Sequence, residues 1–202
     1  MPRRYLIAAT LSLAAMLPLS ALSAEVGRVE LDGRTIILND DNSWEYAGDV
    51  AERPANCTSI SSKVVPVSVC LDPDSWTLAN LNGAEEHGFR HKEHDLYLLM
   101  ITEKTVIERP SLKKAAITNA QSAAGLNKVN VLEDDSASVD GYPFGRIVYN
   151  TIVDGIDITY SNHYTSFEDT GSLQIVIFSG AAQFDSIRPV ISEVIAGITV
   201  DQ

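Results

Sequence analysis

A chain of 202 residues, 45% of them hydrophobic and 21% charged, is long enough to bury a core of its own and too apolar to stay disordered. Its formal charge of −12 repels nucleic acid and anionic lipid and excludes both as partners. The first element is a leader: Arg3 and Arg4, an apolar run from Tyr5 to Leu22 interrupted by Pro18, then small residues ending Ser-Ala-Leu-Ser-Ala before Glu25. This is the anatomy of a secretory signal peptide over residues 1–24, cut near Ser23 or Ala24. The run is short for a membrane anchor, and no later stretch is long and apolar enough to span a bilayer. The paired arginines suit either general or twin-arginine export. Without them the exported chain is still more acidic, and its expected location is periplasmic or secreted.

Residues 25–48 read as a small β-meander. Runs around Val29–Leu31, Thr35–Leu38 and Trp44–Tyr46 are separated by Asp32-Gly33 and by Asp40-Asp41-Asn42-Ser43. Asp-Gly between alternating apolar residues is a hairpin signal, because both central residues of the tight turn take positive φ. The acidic turn lacks the ligand spacing and the glycine of a calcium loop. The segment resembles a short stretch found in secreted bacterial proteins.

Gly48 and Pro54 punctuate the polar stretch that follows and mark 49–62 as a linker. Cys57 and Cys70 are the only cysteines. An even pair in an exported chain predicts one disulfide. A redox pair would want Cys-x-x-Cys spacing, which is absent.

From Lys63 the pattern becomes regular. "KVVPVSVCL" is β-rich, and "EEHGFR" with "DLYLLMITEKTVI" predicts a hairpin. "RPSLKKAAITNAQSAAG" predicts a helix that starts at Pro110 and Ser111, lines up Leu112, Ala116, Ala120 and Ala123, and ends at Gly125. Residues 132–143, "LEDDSASVDGYP", read as an acidic solvated loop, with a cation held by Glu133, Asp134, Asp135 and Asp140 as the alternative. Strands are predicted in "KVNVLED", "GRIVYNTIV", "IDITYSNHYT" and "SLQIVIFSG", the middle pair joined by Asp154-Gly155. Ile187, Val190, Ile191, Val194, Ile195 and Ile198 recur at helical spacing and predict a closing helix capped by Asp185 or Ser186. Strands, helix, strands and helix describe an α+β domain on a mainly antiparallel sheet. "DLYLLMI" and "LQIVIF" are apolar at nearly every position, as strands covered on both faces are, which predicts a helix on each side.

Three of the four histidines, His87, His91 and His94, fall within eight positions beside Glu85, Glu86 and Glu93. On a helix they would share a face and suit zinc or copper. On a hairpin, His91 and His94 sit at a solvated tip and His87 lies ~10 Å or more down the strand. Gly88 and the strand that follows favour the hairpin. Nucleophile elbows, His-Glu-x-x-His and glycine-rich phosphate loops are absent, so no catalytic residue is assigned and no cofactor is expected.

With its elements in this order, residues 63–200 resemble the PsbP-like α/β/α sandwich superfamily, which includes the bacterial DcrB-type proteins. The resemblance is carried by the early strand leading to "DPDSW", the hairpin ending "LYLLMITE", the helix "SLKKAAITNAQSAAG", and then "DGYPFGRIVYN", "GSLQIVIFSG" and "SIRPVISEVIAGI". It implies a sandwich domain over 63–202 and a non-catalytic binding or assembly role in the bacterial envelope, recognising a protein or a small ligand. Trp44, Tyr46 and Trp76, aromatic residues near segment ends, are the candidate contact residues. The alternative is a secreted metal-dependent enzyme or metal carrier built on His87, His91 and His94.

Overall fold

The computed structural model describes residues 25–31, 34–40, 44–46, 53–81, 83–125 and 128–201. The leader and the Asp32-Gly33 turn lie outside them. The chain divides into two compact units, residues 1–48 and 49–202.

In the first unit β1 (Glu25–Leu31), β2 (Arg34–Asn39) and β3 (Trp44–Tyr46) pair antiparallel in that order. Leu31 stands opposite Arg34, and the β1 ladder shifts register between Glu25 and Gly27.

The second unit opens with β4 (Thr58–Ser61), β5 (Val67–Leu71), β6 (Trp76–Leu78), β7 (His87–His91) and β8 (Leu96–Glu103). Then come α1 (Arg109–Ala124), β9 (Asn130–Val139), β10 (Tyr142–Val153), β11 (Ile156–Phe167) and β12 (Gly171–Gly180). A 3-10 helix (Ala181–Ile187), α2 (Arg188–Ala196) and β13 (Ile198–Val200) close it. Seven strands form one sheet in the order β6-β7-β8-β12-β11-β10-β9, every pair antiparallel. A three-stranded sheet, β13-β5-β4, lies apart from it in hydrogen bonding. Mostly antiparallel sheets with two helices make this an α+β fold.

Side chains on a strand alternate between faces, and here the alternation sorts the core into two clusters. Phe144, Val148, Leu173, Ile175, Ile177, Leu98 and Met100 pack with β5, the 3-10 helix, α2 and β13. Ile147, Tyr149 and Tyr164 pack instead with Leu112, Ala116 and Ala120 of α1. The small residues at every fourth position of α1 let the helix lie close over β10 and β11. Ser172 anchors the approach to this helix: its Oγ donates to the carbonyl of Thr105 at 2.8 Å and accepts from the N–H of Ile107 at 2.7 Å.

Four local expectations change. The acidic stretch after Leu132 is no loop: β9 runs through it to Val139, and half-buried Glu133, Asp135 and Ala137 alternate with exposed Asp134, Ser136 and Ser138. The turn falls at Asp140-Gly141, both at positive φ (50° and 76°), as in the Asp154-Gly155 hairpin (51° and 82°). The closing helix stops at Ala196, and Ile198 belongs to β13 opposite Val69, because the last apolar residues reach core as an edge strand on β5. Neither Asp185 nor Ser186 caps α2, whose N-cap position is Ile187. Finally, the segment read as a linker carries β4, because Ser59 and Ile60 find ladder partners in Cys70 and Val69.

Cys57 and Cys70 form a disulfide, with their Cα atoms 5.4 Å apart, and bind the approach to β4 onto β5. Replacing both with serine removes a cross-link over a sequence separation of 13 and is expected to lower unfolding free energy by about 3 kcal/mol. Urea denaturation of the oxidised and reduced chain checks this; equal midpoints would show that the bond does not constrain the fold.

Candidate functional site

Adjacent strands place aromatic rings far apart in sequence side by side. Tyr97 of β8 faces Phe178 of β12, Phe178 faces Tyr160 of β11, and Tyr160 faces Tyr149 of β10, each pair directly in register. The rings stack in turn, with centroids 5.1, 5.3 and 5.0 Å apart. Arg90 of β7, opposite Tyr97, holds its guanidinium 5.9 Å from that ring and continues the row. Tyr149 is buried, Tyr160, Phe178 and Tyr97 are half-buried, and Arg90 is exposed, so the row runs from beneath α1 out to water. Asp95 accepts the Tyr97 hydroxyl at 2.8 Å and fixes that ring. This row shares its face of the sheet with Ile147 and Tyr164.

The opposite parity carries a chain of charges. Arg146 on β10 donates to both oxygens of Asp135 at 2.8 and 3.1 Å and also bonds Glu133. Arg188 at the start of α2 donates to the other oxygen of Glu133 at 2.8 Å and to Asp185 at 3.0 Å. The arrangement ties α2 to β9, and the Arg146 guanidinium occupies the place a cation would take between Glu133 and Asp135. Asp134, on the other face, pairs with Lys113 of α1.

Directly across from Arg146 on β11 is His163, buried at 4% exposure, whose Nδ1 has no hydrogen-bond partner among the described residues. Burial and the neighbouring Arg146 charge lower its pKa to about 3, so it is neutral at physiological pH.

The other histidines occupy the β7–β8 hairpin without forming one site. His91 is not at a solvated tip: it is 6% exposed, edge-on to Trp76 with centroids 5.0 Å apart, because it stands opposite Trp76 in the ladder. Its Nδ1 accepts the backbone N–H groups of Glu93 and His94 at 3.2 and 3.1 Å, so it organises the turn. Burial, then the proximity of His94, lowers its pKa. The His94 ring lies 4.7 Å from that of His91, while His87 sits at the other end of β7 near Ser61 and Glu86. No group of three or more ligating side chains among the described residues is arranged for a metal. Trp76 is 8% exposed and belongs to the core. Trp44 and Tyr46 stand on β3, and their side chains lie outside the described residues.

An open cleft of about 320 Å³ lies at the start of α1, lined by Arg109, Pro110, Lys113, Asp134, Gly145 and Tyr164 among others. Gly145 shapes it: a Cβ there would overlap the Tyr164 ring, so the missing side chain lets the ring lie across β10.

The sequence matches a family profile described as "Protein of unknown function (DUF3157)" over residues 4–178. No curated protein matches the chain. Solved structures share the fold at low identity. Cyanobacterial PsbP (CyanoP) of Synechocystis superposes with a TM-score of 0.55 at 12% identity over 73% of this chain and 94% of its own. LpqN of Mycobacterium tuberculosis, described as involved in cell envelope biogenesis, gives 0.52 at 11% over 73% and 91%. The Saccharomyces cerevisiae Ran-binding protein Mog1p gives 0.52 at 9% over 72% and 95%. The fold is therefore PsbP-like.

Two outcomes test the buried charges. A histidine whose folded pKa lies below its unfolded value binds fewer protons folded than unfolded, so stability falls as pH drops through the unfolded value of 6.5 toward about 3. The steepest slope from this one group is about 1.4 kcal/mol per pH unit. Urea unfolding at pH 7, 6, 5 and 4 should show that slope, and His163→Leu should flatten it; parallel curves would mean that His163 takes up a proton when folded. Arg146→Met leaves Glu133 and Asp135 facing each other across a half-buried gap and is expected to destabilise by about 3 kcal/mol at pH 7, read from the same unfolding curves.

Proposed function

The chain belongs to the DUF3157 family, and we propose that it is an exported, non-catalytic binding or assembly module of the bacterial cell envelope. The domain is read as an α/β/α sandwich, α1 on one face and α2 on the other, that grips a protein partner through its aromatic row. The observation that carries this reading is the row itself: Arg90, Tyr97, Phe178 and Tyr160 in register across four strands, with water reaching one end. Large rigid rings bury much area at small cost in rotamer entropy, and an arginine beside them is the usual company of contact hot spots. Packing within one domain does not need three half-exposed aromatic residues on one line.

Three further facts support the reading. The leader-like first 24 residues and the Cys57–Cys70 disulfide suit an oxidising compartment outside the cytoplasm. No helix among the described residues is long and apolar enough to cross a membrane. Among proteins with this fold, one is described as Ran-binding and another as involved in cell envelope biogenesis.

Fractionation of cells expressing the full chain should find a shortened product in the envelope fraction with its disulfide formed. A full-length product retained in the cytoplasm would overturn the export reading. A photo-crosslinking residue in place of Phe178 should give one discrete adduct in the envelope. The same group at exposed Asp157 should not, and adding Tyr160→Ala should reduce the adduct at least fivefold while the unfolding midpoint stays within a few degrees.

A further inference from the structure

The cleft at the start of α1 is lined by a polar group that no described residue engages. Tyr164 is 4% exposed, so nine-tenths of it and more is enclosed, yet it lines the cleft and its hydroxyl makes no hydrogen bond among the described residues. Burial raises its pKa, and the charges that act on it, Lys113, Asp134, Arg109 and Asp135, are those around the cleft. The phenol thus remains a proton donor throughout the physiological range, aimed at a space bordered by two cations.

The neighbouring charges decide which ligand suits it. Lys113 donates to both oxygens of Asp134, at 3.0 and 2.8 Å, and Asp135 is held by Arg146, so three of the four charges lining the cleft are already matched. Arg109, exposed at the first turn of a 16-residue helix, has no ion-pair partner among the described residues. The positive end of the helix dipole adds to its charge. What is left unspent is positive charge and N–H and O–H donors, which complement an anion with two acceptor oxygens. Pro110 and the Tyr164 ring supply an apolar wall beside it.

We propose that this cleft binds a carboxylate carried by a small apolar group, with Arg109 pairing its two oxygens and the Tyr164 hydroxyl donating to one of them. Gly145 is part of the site, because any side chain there would drive the Tyr164 ring out of place. The ligand is either a free organic acid or the C-terminal carboxylate of a peptide, both of which present this chemistry. The cleft is separate from the aromatic row, and its occupancy does not depend on the partner proposed for that row.

Proton–nitrogen NMR titration of the mature, disulfide-bonded chain with three probes tests the site: benzoate, N-acetyl-phenylalanine, and N-acetyl-phenylalanine amide, which lacks the charge. Binding should shift the resonances of residues 109–113, 134–136, 145 and 164 and spare the β7–β8 hairpin. Tyr164→Phe keeps the ring and removes only the donor, and should weaken binding about tenfold, the usual effect of losing a hydrogen bond to a charged group. Arg109→Gln, on an exposed position, should weaken it at least as much without altering the fold. Saturation by both acids identifies a site for free organic acids, and saturation by N-acetyl-phenylalanine alone identifies a chain terminus; either supports the proposal. No shifts at 10 mM of either acid, equal binding of the amide, or unchanged affinity in Tyr164→Phe would overturn it.

Discussion

β12 is shut off from water over most of its length. From Gly171 to Ile177 every residue is buried, and the strand lies between β8 and β11 at the middle of seven. A strand in that position is stable only when both faces of the sheet are covered, since each fully buried Leu or Ile there is worth roughly 1.5–3 kcal/mol. The rest of the domain answers this demand. One parity of β12, Leu173, Ile175 and Ile177, meets the layer built from β5, the 3-10 helix, α2 and β13. The other parity, Ser172, Gln174 and Val176, lies on the face where α1 crosses β10 and β11. That α1 sits to one side of this face is why the aromatic row emerges from under it.

Covering a sheet so completely forces polar residues into the interior, and the structure deals with each differently. Glu86 is the clearest success: burial pushes its pKa up, but the Lys63 N–H, the Ser62 hydroxyl and the Thr102 hydroxyl outweigh that and hold it low. The bonds join the β4–β5 connection to β8 and so stitch the two sheets together. Arg146 stays charged because Asp135 and Glu133 more than offset its burial. His163 is handled the other way. It stands beside a cation and gives up its proton rather than its place, a deprotonation that costs little at neutral pH and grows expensive in acid.

Much of this was legible in the sequence, because the signals involved are local. The Asp154-Gly155 turn, the helix bounded by Pro110 and Gly125, and the unbroken apolar runs of β8 and β12 each depend on neighbours within a few positions, and the PsbP-like order of elements follows from them. The acidic β9 was hidden because an edge strand with Glu133 and Asp135 inward looks polar throughout, and its partners Arg146 and Arg188 lie 13 and 55 residues away. Ile198 kept helical phase with Ile191 and Val194 by coincidence; Gly197, followed by an alternating Ile-Thr-Val, was the available sign of a strand. His91 looked exposed because a hairpin tip usually is, and nothing nearby announced that Trp76 would cover it.

The aromatic row and the cleft were invisible for a deeper reason. Tyr97, Tyr149, Tyr160 and Phe178 are spread over 82 positions, and only the ladder registers bring them onto one line. Tyr164 reads as one more alternating strand residue until Gly145 is seen opposite it. Of the aromatic residues near segment ends, Trp76 at the start of β6 is taken up by the core. In a broad antiparallel sheet, the residues free to act on something else are those mid-strand, on the parity that the covering helix does not reach, and their number is set by helix placement rather than by composition.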